Sequence, residues 1–284
     1  MEIAVPPRAC PTCSSLRGVV YAENDRMTYH RCCRCHVIYR SSQVMDEAYD
    51  KDYFKNHAHD SIETGVTVNQ WTRLSLARGL GRGESLLDVG MARGGSMQAA
   101  RDLGWTEIHG IDCTDTFLRK LEARQFHVRV ADAHALPYPA ERFDAVLMSH
   151  VLEHLDSPPR ALSEVHRVLK PDGVAVITVP NADYWRAHLH RGRYKWYRLD
   201  REGRFHHAYF TLRTLADALE EAGLEPLTYP TIRLAGRSVR EAARGQSLSS
   251  WQLLTSRLAD PLGMGREIAI ISRKPRAAAI AHAA

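Results

Sequence analysis

Five of the six cysteines lie between residues 10 and 35, and four of them form two pairs, Cys10-x2-Cys13 and Cys32-x2-Cys35, eighteen residues apart. A tetrahedral Zn²⁺ needs four ligands, and each C-x-x-C turn aims two thiolates at one ion. The spacing therefore marks Cys10, Cys13, Cys32 and Cys35 as a structural zinc site. A catalytic zinc is disfavoured, because four thiolates leave no open coordination position. Cys33 is read as a bystander, since a C-x-C pair is a poorer clip, and His36 is a substitute ligand of lower rank. The competing reading is a disulfide framework. The N-terminus opens Met1-Glu2 without the apolar stretch of a secretory signal, which favours metal in a reducing, cytoplasmic setting.

A second cluster of chemistry begins at residue 86. Leu86-Leu87-Asp88-Val89-Gly90-Met91-Ala92-Arg93-Gly94-Gly95-Ser96 reads as strand, small-residue loop and helix start. Small residues let a ligand approach the backbone closely. Open parallel sheets bind ligands at the carboxyl ends of their strands. Asp112 ends the next strand, 24 residues after Asp88, where a carboxylate can accept hydrogen bonds from a ribose diol. His150, His206 and His207 are candidate general bases, since imidazole titrates near neutral pH. Glu153-His154 reads first as a hydrogen-bonding pair at a helix start.

These residues need elements to hold them. Gly18–Tyr21 and Met27–Tyr29 flank Glu23-Asn24-Asp25 as a short hairpin. With the cysteines it resembles a zinc ribbon, for which metal binding supplies much of the folding energy. Residues 43–83 form a connector, with a helix over 61–80 containing Trp71, Leu74 and Leu76. From Ser85 strand-like runs alternate with helical ones. The strands are Ser85–Val89, Glu107–Ile111, His127–Val130, Ala145–Ser149 and Val174–Val179. The helices between them are Ser96–Leu103, Thr116–Ala123 and Pro158–Leu169. Ser157 is placed to cap the last of these, and Lys170-Pro171-Asp172-Gly173 to stop it. A helix at Thr211–Ala222 and strands near Leu224–Tyr229 and Glu267–Arg273 follow. Such alternation predicts an α/β fold with a parallel sheet covered by helices on both faces.

The glycine frame is not the dinucleotide G-x-G-x-x-G. It resembles the D-x-G-x-G-x-G loop of class I S-adenosylmethionine-dependent methyltransferases, with Ala92 in the place of the middle glycine. Asp132-Ala133 after the third strand, Phe143–Leu155 with its Leu152-Glu153-His154-Leu155 turn, and Leu169–Gly173 resemble further blocks of that family, in order, over Ser85–Pro180. The turn and the block Phe205–Thr211 are similar to UbiE/UbiG-like, small-molecule members. The resemblance implies a Rossmann-like seven-stranded sheet with helices on both faces, plus the ribbon. It implies that Asp88, Gly90, Ala92 and Gly94 cradle the methionine and ribose part of S-adenosylmethionine, and that Asp112 holds the ribose hydroxyls. Cys113 then borders the adenine, Asp132 and Ala133 recognise it, and Ser149 and His150 lie near the sulfonium. The expected division is 1–42 ribbon, 43–83 connector or cap, 84–274 methyltransferase domain with an insertion at 184–210, and 275–284 a loose tail.

Composition narrows the partners. The chain has 284 residues, 44% hydrophobic and 25% charged, ordinary for a globular protein, and no apolar run long enough for a membrane helix. The net charge is +5. Residues 184–210 hold seven basic and two acidic residues, so this segment accounts for all of it, together with eight aromatic residues. It reads either as a solvated loop or as a cap over an anionic partner. The leading expectation is methyl transfer to a small molecule, anionic or sugar-containing, in natural-product or glycan biosynthesis. The alternatives are an RNA base methyltransferase, whose unpaired substrate such a segment would suit, and a non-catalytic binding module.

Overall fold

A computed structural model describes residues 8–23, 28–41, 74, 77–80, 83–184, 206–228 and 267–276. The connector helix expected over 61–80 falls mostly outside them; Leu74 and residues 77–80 are helical. The basic segment is described only at Tyr184 and from His206 onward, and the expected tail only at residues 275 and 276.

Two sheets organise the chain. The larger is built from β4 (Ser85–Val89), β5 (Glu107–Asp112), β6 (His127–Val130), β7 (Phe143–Ser149), β8 (Leu169–Pro180), β10 (Glu225–Thr228) and β11 (Glu267–Arg273), in the order β10-β11-β8-β7-β4-β5-β6. β4 through β8 run parallel, while β11 pairs antiparallel with β8 and β10 antiparallel with β11. The chain winds outward from β4 to β6, then returns to lay β7 on the other flank of β4. The crevice at the carboxyl ends of β4 and β7 is therefore the topological switch point where such sheets take ligands.

Successive side chains of a strand point to opposite faces, and β7 is apolar on both. Val146 and Met148 join the core beneath α3 (Pro158–Val168) and α4 (Leu212–Glu221). Ala145 and Leu147 join the core beneath α1 (Gly95–Asp102) and α2 (Leu118–Glu122). α3 buries Ala161, Leu162, Val165 and Val168 at helical spacing. α4 starts on a capping box between Thr211 and Thr214. Two local expectations differ. Ser157 makes no side-chain cap to α3. The segment 170–173 does not merely stop the helix: Asp172 turns with φ +65 while its N–H bonds to the Lys274 carbonyl, so β8 starts at Leu169.

The smaller sheet is β1 (Gly18–Glu23), β2 (Thr28–Cys32), β3 (Ile38–Arg40) and β9 (Ala208–Tyr209), in that order. The cysteine hairpin is thus completed by a strand from the far side of the chain, through the antiparallel pairs Ile38↔Tyr209 and Tyr39↔Ala208. Val37 enters the main core with Ala208 and Phe210. Ribbon and large sheet are joined by backbone hydrogen bonds and apolar contact, which the expected division at residue 42 did not anticipate.

Candidate active site

The loop after β4 is shaped by backbone that side chains resist. Gly90 and Gly94 have φ +76 and +75. A Cβ on Gly90 would sit 2.3 Å from Val151 Cγ2, and one on Gly94 would sit 2.3 Å from Leu121 Cδ2. Both positions therefore need glycine for conformation and for close approach. Ala92, in the place of the family's middle glycine, also has a positive φ, +42. The alanine is accommodated in the left-handed region at the usual cost of its Cβ. Gly90 N–H and Met91 N–H donate to the Ile111 carbonyl at 2.8 and 2.9 Å, folding the loop over the end of β5.

Two carboxylates stand behind this loop. Asp112 is nearly buried, its Oδ2 accepting from Ala92 N–H at 3.0 Å and its Oδ1 from Thr114 N–H at 3.1 Å. It ties the glycine loop to the end of β5; Oδ1 also accepts from Thr114 Oγ1 at 3.3 Å, so the spare lone pair is on Oδ2. Asp88 is 2% exposed, and burial, then the Asp112 charge, push its carboxyl up to about 7. Cys113 is exposed beside Asp112; partial desolvation, with the Asp112 charge, raises its thiol to about 11. Across β6, Asp132 caps its own turn by accepting from His134 N–H at 2.9 Å, with its side chain 66% exposed, and Ala133 is buried. Asp88, Gly90, Ala92, Gly94, Asp112, Cys113, Asp132 and Ala133 thus gather at the carboxyl ends of β4, β5 and β6.

Ser149 ends β7, opposite Thr178 of β8. His150 follows with φ +56, its Nδ1 3.3 Å from Glu153 and its Nε2 3.5 Å from Glu267. Desolvation acts to lower its pKa, but hydrogen bonds and charge from both carboxylates prevail and push it up to about 10. The side chain is 40% exposed, and both its ring nitrogens face a carboxylate. His207 Nδ1 lies 3.1 Å from Arg8 Nη1, and Arg8 also donates to Asp156 at 3.0 Å. A guanidinium only donates, so His207 Nδ1 is the acceptor in that contact and is already engaged. His206 is buried, edge-on to His154 at a ring-centroid distance of 4.6 Å and to Tyr209 at 5.3 Å. Glu153, in the short 3₁₀ turn Leu152–His154, is 1% exposed. Despite burial, its hydrogen bond with His150 and the nearby histidine charges hold it down at about 2.

Sequence reasoning placed the Glu153–His154 pair at the turn but missed its burial, and missed Arg8 and Glu267 entirely. Both act across 117 or more residues of sequence, with no local spacing to reveal them. β9 brings His206 and His207 to this turn, and His207 N–H donates to the Glu153 carbonyl at 2.7 Å. The ribbon thus borders the same corner.

In the ribbon, the Sγ atoms of Cys10 and Cys35, and of Cys13 and Cys32, lie 3.5 Å apart. That is far beyond the ~2.05 Å of a disulfide and near the roughly 3.8 Å sulfur–sulfur edge implied by Zn–S bonds of about 2.3 Å in a tetrahedron. The four thiols converge as one candidate metal centre. Cys33 is exposed.

The family profile described as a methyltransferase domain matches residues 68–229. An uncharacterized methyltransferase of Bacillus subtilis is 30% identical over 121 residues, 40% of this chain and 64% of that protein. A demethylmenaquinone methyltransferase of Symbiobacterium thermophilum is 29% identical over 46% of this chain and 57% of its own length. The chain thus spans about half to two thirds of the curated relatives it matches. Among solved structures, a Burkholderia thailandensis 1,6-didemethyltoxoflavin-N1-methyltransferase superposes with a TM-score of 0.55 at 16% identity, over 90% of this chain and 99% of that one. A Haloferax volcanii methyltransferase complex with the Trm112 activator superposes with a TM-score of 0.54 at 18% identity, over 80% of this chain and 98% of the other.

Proposed function

The chain belongs to the methyltransferase-domain family, and from that premise we propose that it transfers a methyl group from S-adenosylmethionine to a small-molecule acceptor. The observation that carries the reading is the cradle at the switch point: a left-handed Gly90–Ala92–Gly94 loop drawn over β5 and tied to Asp112. S-adenosylmethionine supplies an electrophilic methyl on a sulfonium. Gly90 and Gly94 let the loop backbone approach it, Asp112 offers the remaining lone pair of Oδ2 to a ribose hydroxyl, and Asp132 with Ala133 borders the adenine. Ser149 and His150, at the end of β7, face the methyl-transfer side. There the chain's work is to align acceptor and methyl and to exclude water, an effect that reaches ~7–11 kcal/mol in favourable cases.

His150, with both ring nitrogens facing carboxylates, stands at this end of β7. The charge of residues 184–210 in the sequence is why we retain an anionic or sugar-containing metabolite as the substrate class; the His150 imidazole is already matched by Glu153 and Glu267. The relatives named above as acting on a quinone precursor or a toxoflavin precursor accord with a small molecule. The RNA alternative rests on residues 184–210, which lie almost wholly outside the described residues.

For the ribbon we propose a structural Zn²⁺ held by Cys10, Cys13, Cys32 and Cys35, on the strength of the sulfur geometry; such thiol sets belong to a reducing compartment, the cytoplasm. Among the described residues no helix is long and apolar enough to cross a membrane. The deciding experiment is calorimetry of the full chain with S-adenosylmethionine and with NADH. Saturable binding of the sulfonium, weakened at least tenfold by Asp112→Ala without loss of folding, is the expected result. Preference for NADH, or an unchanged affinity in the variant, overturns the assignment.

A further inference from the structure

Beside the cofactor cradle the chain holds a cluster with no counterpart in the mechanism above. Glu153, His154 and His206 each present one ligand atom, a carboxylate oxygen and two imidazole nitrogens, all within 4.8 Å of one another. Glu153 is 1% and His206 8% exposed, while His154 is half-buried. Among the described residues the Oε2 of Glu153 has no hydrogen-bond partner, although its Oε1 is held by His150 at 3.3 Å. A buried carboxylate oxygen without a donor is costly. It belongs to the residue beside which His154 and His206 offer the rest of a ligand set.

We propose that Glu153, His154 and His206 bind a divalent transition-metal ion, separately from the ribbon. Two imidazoles and one carboxylate are the borderline ligands that Zn²⁺, Mn²⁺, Fe²⁺ and Co²⁺ accept. Three protein ligands, unlike the four thiolates, leave coordination positions open. His150 fixes the orientation of Glu153 through its second oxygen, as outer partners of metal ligands do. The half-buried His154 marks the side from which the ion and an oxygen ligand enter.

The site is adjacent to the cradle, since Val151, two residues before Glu153, is the side chain that a Cβ on Gly90 would strike. Resting on the methyltransferase reading, the open position takes a hydroxyl or carboxylate oxygen of the acceptor. A bound hydroxyl becomes more acidic there and releases its proton to solvent water, the task for which no imidazole base was secured. The metal site itself does not depend on that reading.

The test is a Co²⁺ titration of the full chain with its ribbon already filled by zinc, followed by visible absorption and by metal content after desalting. One further equivalent is expected, with ligand-field bands and without thiolate-to-cobalt charge transfer. Glu153→Gln and His154→Ala should each weaken that binding more than about 100-fold, the upper range for outer-shell changes. His154 is half-buried, so its variant decides the matter if Glu153→Gln fails to fold. No saturable cobalt beyond the ribbon, binding only with thiolate bands, or unchanged affinity in a folded variant overturns the proposal. S-adenosylmethionine affinity, measured alongside, keeps the two readings apart: cobalt binding without cofactor binding removes the methyltransferase reading and leaves the metal site standing.

Discussion

Gly90→Ala tests the cradle most directly, because the structure separates its cost into two parts. The first is conformational: at φ +76, an L-residue in the left-handed region costs roughly 1–2 kcal/mol. The second is steric: the new methyl would lie 2.3 Å from Val151 Cγ2, far inside the ~3.5–4.0 Å of a relaxed carbon contact, and such overpacking costs about 1–3 kcal/mol. Alanine also narrows the unfolded ensemble, returning about 0.4–1 kcal/mol. The expected net destabilisation is about 1–5 kcal/mol in denaturant unfolding, together with a fall in cofactor affinity as the loop shifts. The double variant Gly90→Ala/Val151→Ala removes the collision and leaves the torsional part. The cycle should therefore show a favourable coupling of about 1–3 kcal/mol between the two sites. A folded Gly90→Ala protein within 0.5 kcal/mol (about the additivity error) of the parent, or additive single effects, would refute the account of the loop.

Ala92→Gly should act in the opposite direction, since it relieves the strain at φ +42; a gain of up to about 1 kcal/mol in unfolding free energy is expected after the entropic loss. Asp88 gives a pH signature. Its folded carboxyl, raised to about 7 from 3.8, binds more protons than the unfolded one between those values. That part of the stability is therefore present below pH 4 and lost as pH rises through 7. Asp88→Asn should flatten this decline, and chemical unfolding at pH 5 and pH 8 measures it. Cys32→Ser should abolish ribbon zinc in metal analysis and speed hydrogen exchange at the Ala208 and Tyr209 amides, because β3 would no longer be held against β9.

The sequence carried the large sheet well, for a physical reason. Its inner strands are buried on both faces, so they read as continuous apolar runs, and α4 opens on a Thr211–Thr214 capping box. The cradle was legible because glycine at a positive φ leaves a trace in composition. Ala92 showed that the trace can fail at one position while the backbone keeps its conformation. The corner formed by Arg8, Glu153, His206 and Glu267 was not legible, because contacts across the whole chain have no period. β9 escaped notice for the same reason: two residues are too short a strand to announce themselves, and their partner lies in the N-terminal hairpin.

That partnership sets a timetable for the nascent chain. Ile38 pairs with Tyr209, and 209 − 38 is 171 residues, so at ~5–20 residues per second the metal-bearing hairpin waits roughly 9–34 s on the ribosome for its fourth strand. During that interval the open side of β3 is an unfilled pairing edge, available to any extended segment that arrives before Ala208 does.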